Sequence, residues 1–203
     1  MILRTISRGN SVVEFVLIIV VAIALAFAIQ ALIVKPYKIP SESMLPTLAV
    51  GQRVLVNRLG NDFSDPHIGE IVVFHPPQGA VTMSPACGVR VSQGQICSMP
   101  TSQEASVNFI KRVVAGPGDT IAIRDGHAVR NGVEQKEPFI AACGGGPACN
   151  YPAAIKVPAG HWFMMGDNRG MSDDSRFWGP VPRKWIIGGA FATYWPVGRI
   201  GIL

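Results

Sequence analysis

Charge is scarce in this chain. Asp, Glu, Lys and Arg supply 15% of its 203 residues, against about 25% in an ordinary soluble domain. A chain so apolar buries surface, which excludes disorder. Histidine is scarcer: His67, His75, His127 and His161 are the only four. Cysteine is confined to Cys87, Cys97, Cys143 and Cys149. Neither local spacing is Cys-x2-Cys and no histidine follows at finger spacing, so no metal site is expected. A glycine-rich phosphate loop and internal repeats are also missing, and no cofactor is implied. The formal net charge is +5, yet the basic residues are scattered rather than clustered. That pattern describes a solvated surface or lipid head groups and excludes a nucleic-acid partner.

What the chain does have is turn-forming material, with Gly 22 and Pro 16, and one long apolar run. Residues 15–34 hold Gln30 as their only strongly polar member. About 20 apolar residues suffice for a helix to cross a bilayer core of roughly 30 Å, and a helix satisfies its own backbone there. A cleaved signal peptide has a shorter apolar region with a small-x-small site just beyond it. Here the triplet Ala26-Phe27-Ala28 lies inside the run. The chain therefore divides into a short tail (1–14), a transmembrane anchor (15–34) and a domain (35–203).

Arg4 and Arg8 precede the run and Lys35 and Lys38 follow it, so the positive-inside count is level. The four cysteines all follow the run and allow three pairings. The local pairs Cys87–Cys97 and Cys143–Cys149 would each close a short loop. Disulfides belong to oxidising compartments, which places the domain outside the cytoplasm.

Residues 35–203 read as a mainly β, antiparallel domain. Strand-like runs fall at 52–57, 70–74, 107–114, 120–124, 128–130, 161–165 and 189–195, separated by turn signals. Asp125-Gly126 and Asn131-Gly132 are tight-hairpin signals. Residues 76–106 are rich in Gln, Ser, Gly and Pro and read as a long surface excursion.

Three segments carry chemistry. Residues 37–48 place Ser41 and Ser43 in a loop stiffened by Pro40 and Pro46, where a serine serves as a nucleophile or caps a turn. In residues 108–119, strand alternation puts Lys111 on one face with Phe109 and Val113, and Ile110, Arg112 and Val114 on the other. A lysine facing inward loses solvation, which lowers its pKa and suits it to act as a base; the plainer reading is a lysine whose stem packs while its head reaches water. Residues 165–179 combine Asp167, Arg169, Asp173, Asp174 and Arg176 with small residues, as in a loop-holding network that brings Ser172 or Ser175 near a reacting group. With no histidine in these segments, Ser with an apolar-set Lys is the economical route to an activated hydroxyl.

Taken together, the three segments resemble type I signal peptidase, a membrane-bound serine protease family of the Ser–Lys class. Pro40-Ser-x-Ser-Met-x-Pro-Thr-Leu48 is similar to its nucleophile box, Lys111-Arg-Val-Val-Ala-Gly-Pro-Gly-Asp119 to its lysine box, and Gly166-Asp-Asn-Arg-x-x-Ser-x-Asp-Ser-Arg176 to its third box. The resemblance implies Ser43 as nucleophile and Lys111 as general base. It implies an oxyanion hole from the Ser41 hydroxyl and the Ser43 N–H, with Ser172 orienting the lysine. Asp174, Arg176 and Gly166 fall on supporting positions. Ile39, Pro40, Met44, Leu48, Phe109 and Ile110 match positions lining the pockets for small substrate residues. Cys143–Cys149 resembles a disulfide of some members, and the fold implied is largely antiparallel β with an apolar surface against the membrane. Gly170-Met171 departs from the family's Asp-Asn.

The expected function is removal of signal peptides from secreted preproteins through an acyl-enzyme. The partners are preprotein signal peptides and membrane phospholipid. The expected location is the plasma (inner) membrane, single-pass, with the domain on the extracytoplasmic side. A pilin or conjugation-system processing peptidase of the same family, and a membrane-anchored β-domain that does not cut, are the alternatives.

Overall fold

The structure, a computed structural model, describes residues 11–59, 64–82, 86–92 and 94–203, and among these the side chains of 28–32 stay undescribed. Arg4 and Arg8, and most of the tail expected over 1–14, lie outside it.

Helix α1 (Ser11–Leu32) opens the described chain. Its described side chains, 11–27, are exposed on every side. Among the described residues no helix is long and apolar enough to cross a membrane. At about 1.5 Å per residue, 11–27 covers roughly 25 Å, short of the roughly 30 Å hydrocarbon core. The span expected over 15–34 runs on through side chains that lie outside the described residues.

Among the described residues twelve strands follow: β1 (Val34–Lys38), β2 (Arg53–Asn57), β3 (Ile71–Phe74), β4 (Phe109–Ala115), β5 (Thr120–Arg124), β6 (His127–Arg130), β7 (Val133–Glu134), β8 (Tyr151–Lys156), β9 (His161–Met165), β10 (Val181–Pro182), β11 (Ile186–Trp195) and β12 (Gly201–Ile202). A four-residue helix, α2 (Ser175–Trp178), precedes β10. The larger sheet runs β1-β2-β11-β3-β4-β9-β10, with β12 on β11; the smaller runs β7-β6-β5-β8. Every pairing between these strands is antiparallel.

Local sequence explains the elements. Strand β3 is Ile-Val-Val-Phe, buried at all four positions, as an interior strand covered on both faces requires. Asp125 (φ 48°) and Gly126 (φ 83°) turn β5 into β6 with both central residues in the left-handed region, the geometry of a two-residue hairpin whose twist matches its strands. Asn131 (φ 54°) and Gly132 (φ 79°) do the same between β6 and β7.

Three apolar clusters result. One packs Trp162, Trp178 and Trp185 with Phe74 and Val113. A second joins the two sheets, with Val114, Ala115, Phe163 and Met165 meeting Ile121, Ile123 and Ala128. The third, Ile39, Met44, Leu48, Val54, Val56, Ile71 and Ile110, underlies the β1–β2 connection.

The strand positions read from sequence agree within a few residues, and β11 begins earlier, at Ile186. Strands β1, β7, β8, β10 and β12 carried no such signal. Residues 76–106 differ from a simple surface excursion. Ile96 is buried in the cluster between the sheets, and the Cys97 N–H donates to Arg176 O at 3.0 Å. Ala80 is likewise buried, against the tryptophan cluster, so the segment is held to the molecule at more than one point. The disulfides are Cys87–Cys97 and Cys143–Cys149.

Candidate active site

The β1–β2 connection holds a short 3-10 turn, Glu42–Met44. Met44 and Leu48 point into the core and fasten the turn from below, leaving Ser43 at its crest, 7% exposed. Strand β4 delivers Lys111 from the other side. The alternation expected for β4 holds: Phe109 and Val113 join the tryptophan cluster, while Ile110 and Val114 join the others.

The two side chains meet. Lys111 Nζ donates to Ser43 Oγ at 2.5 Å, across 68 residues of sequence. Lys111 is 4% exposed and its ammonium lies 5.5 Å from the centre of the Phe109 ring. Burial lowers its pKa from 10.5 to about 8; the carboxylates of Asp174 and Asp173 pull upward against this, and Arg176 adds to the lowering. About a tenth of the molecules thus carry the neutral amine at pH 7, far more than for an exposed lysine. The Ser41 hydroxyl donates to Ser43 Oγ at 3.3 Å.

Behind the pair lies a buried ion pair. Arg176 Nε donates to Asp174 Oδ1 at 2.7 Å, and both side chains are fully enclosed. Burial pushes the Asp174 carboxyl up, but the Arg176 guanidinium and the Gly166 N–H hold it below the usual carboxylate range. Arg176 also donates to the carbonyls of Ala148, Arg169 and Ser172, so the loop wraps around one guanidinium. Gly166 has no room for a side chain: a Cβ there would collide with Ser172 Oγ and the Ser43 carbonyl.

Ser172 is close but differs from expectation. Its Oγ is buried and, among the described residues, has no hydrogen-bond partner, so the bond expected to orient Lys111 is not made. Lys111 directs its contact to Ser43. The pocket residues also separate. Ile39, Met44, Leu48 and Ile110 pack together as a closed floor, Phe109 is half-buried over the neighbouring cluster, and Pro40 is exposed. Cys143–Cys149 and Cys87–Cys97 brace the surrounding loops without entering the site.

The partners of several residues escaped the sequence reading. Thr47 Oγ1 donates to Asp167 Oδ2 at 2.5 Å. Arg112 grips the same carboxylate through Nε and Nη2 at 2.8 and 2.6 Å. Asp167 therefore ties the serine loop to the lysine strand. Asn168 adds two clamps, its N–H to Ser43 O and its Nδ2 to Glu42 O, both 3.1 Å. Arg169 pairs with Glu137 at 2.7 Å, fully buried. Thr47, Asp167, Asn168 and Arg169 lie inside the recognised segments, but nothing in the sequence says which partner each one takes.

A serine hydroxyl against a buried, depressed-pKa amine is equipped for nucleophilic attack on a carbonyl. Comparison with known proteins gives the family. The family model described as "Signal peptidase, peptidase S26" matches residues 12–195. The probable signal peptidase I-1 of Synechocystis is 37% identical over 94% of this chain and 86% of its own length. The signal peptidase I of Leptolyngbya laminosa is 37% identical over 90% and 79%. That of Mycobacterium tuberculosis is 32% identical over 97% and 77%. The chain belongs to the signal peptidase family, peptidase S26, and is a peptidase.

Proposed function

We propose that the chain removes signal peptides from secreted preproteins, with Ser43 as nucleophile and Lys111 as general base. The observation that carries this reading is the 2.5 Å contact of Lys111 Nζ with Ser43 Oγ. In the neutral amine the contact reverses, and the hydroxyl donates its proton to Nζ as Oγ attacks the scissile carbonyl. The oxyanion then takes a hydrogen bond from the Ser43 N–H and from the Ser41 hydroxyl; one such donor is worth about 2.7–4 kcal/mol. The proton on Nζ passes to the leaving amine. An acyl-enzyme on Ser43 results, and water deprotonated by Lys111 releases it.

Residues 15–34 anchor the chain in a membrane, since the described part of α1 presents apolar side chains on every face. The two disulfides favour an extracytoplasmic position for the domain. The preprotein's own apolar segment shares the bilayer, which raises its effective concentration.

The purified full chain is incubated with a preprotein, and the new N-terminus is identified by mass spectrometry. Ser43→Ala and Lys111→Met are each expected to lower the rate by at least about 10³-fold. Cleavage near the wild-type rate by either variant overturns the reading.

A further inference from the structure

The end of the larger sheet that carries Ser43 also carries a second feature. Lys38 pairs with Arg53, and Arg53 pairs with Trp195. The β1–β2 connection and the β11–β12 turn therefore emerge side by side. That turn holds Trp195, Val197, Ile200 and Ile202, all exposed, Ile202 at 91%. Within this apolar turn sits one charged residue, Arg199, in the 3-10 turn Val197–Arg199. Its guanidinium reaches back to the serine loop rather than to a carboxylate. Arg199 Nη2 donates to Pro46 O at 3.1 Å and to Thr47 O at 3.4 Å. Its backbone is held in turn by Thr193, whose buried hydroxyl donates to Arg199 O.

We propose that Arg199 is a positioning residue for the peptidase reaction: it couples the apolar β11–β12 turn to the loop that carries Ser43, so that seating the turn in a bilayer steadies the nucleophile. The path is continuous. Arg199 holds the carbonyls of Pro46 and Thr47; the Thr47 hydroxyl holds Asp167; and Asp167 holds Arg112, the neighbour of Lys111. Both halves of the catalytic pair thus hang on one chain of contacts that starts in the turn. An exposed turn of apolar side chains fluctuates in water and is restrained when those side chains enter lipid. A misplacement of about 1 Å at a reacting group costs on the order of 10²-fold in rate, so small restraint at the turn has a large effect at Ser43.

The inference rests on the proposed function and is tested beside it. The full chain is reconstituted in vesicles of phosphatidylethanolamine and phosphatidylglycerol, and separately in nonionic detergent, and kcat and KM are measured with a preprotein. The wild type is expected to turn over faster in vesicles. Arg199→Ala is expected to lower kcat in vesicles about 10-fold with KM little changed, to abolish the vesicle advantage and to keep the wild-type Tm. Arg199→Lys, which keeps a donor, restores part of kcat. Trp195→Ala with Ile200→Ser loses the vesicle advantage but keeps the detergent rate. If Arg199→Ala keeps its kcat and its vesicle advantage, or if Lys rescues nothing, the coupling is wrong. If the wild type fails to cleave, or cleaves without need of Ser43, the proposed function itself falls and the coupling falls with it.

Discussion

The two sheets are assembled on opposite plans. In the smaller, β5, β6 and β7 follow one another through two-residue turns, and only β8 comes from further along the chain to pair with β5. The larger joins strangers: β11 lies between β2 and β3, and Ser43 meets Lys111 across 68 residues. The smaller sheet carries the exposed Arg124–Glu134 pair at 3.5 Å, which is worth little in water. The larger sheet and its loops bury theirs as matched partners: Asp174 with Arg176 and Asp167 with Arg112. The contrast teaches that local turn chemistry suffices to fold a sheet, whereas a dry amine needs distant segments to close around it.

The sharpest way to break this contrast is to unpair a buried charge. Asp174→Ala leaves Arg176 enclosed without its carboxylate, and is expected to destabilise the fold by about 3–5 kcal/mol, read by urea denaturation. A loss below about 1 kcal/mol would make the pair no different from Arg124–Glu134.

Crowding gives the next effect. Gly166→Ala drives a methyl group into Ser172 and the Ser43 carbonyl. Preprotein cleavage is expected to fall about 10²-fold, with secondary structure by circular dichroism retained. Unchanged kcat would mean the site tolerates a shift it has no evident room for.

Lys111 itself works against stability. Its pKa is about 8 in the fold and about 10.4 in an unfolded chain. Between these values the unfolded chain binds more protons, so stability rises with pH across that window and carries the full penalty below it. Lys111→Met is therefore expected to stabilise the inactive protein at pH 6 by about 1–3 kcal/mol, with the gain shrinking towards pH 10. The wild-type kcat/KM profile should show an acid limb with apparent pKa near 8. A limb well below this, or a Met variant with lower Tm at pH 6, contradicts the account.

The smallest effect belongs to the smaller sheet. Gly132 has φ 79° with open space around it, so Gly132→Ala strains only the backbone. A loss of about 1 kcal/mol with unaltered cleavage is expected in parallel denaturation and activity assays. A drop in activity would show that the two sheets are coupled.

The same division governs what the sequence disclosed. Asp125-Gly126 and Asn131-Gly132 announced their hairpins because a turn is decided by the residues in it. Ser43, Lys111 and the inward face of β4 were legible from the three boxes and from alternation. Strand β8 was not: Pro152 interrupts it, and as an edge strand it needs no alternating pattern. The clasp of Thr47 and Arg112 on Asp167, and the Arg169–Glu137 pair, were hidden because each depends on a register between strands far apart in sequence. Ile96 was hidden by its polar neighbours. Ser172, whose hydroxyl has no partner among the described residues, matches its motif by position alone.

The place of β11 has a consequence for biosynthesis. Residues 186–195 form the seam between β1–β2, which bear the serine loop, and β3–β4, which bear the lysine. Until that seam is laid, the two halves of the sheet have no edge in common. A chain cut before residue 186 is therefore expected to hold Ser43 and Lys111 on separate pieces of sheet.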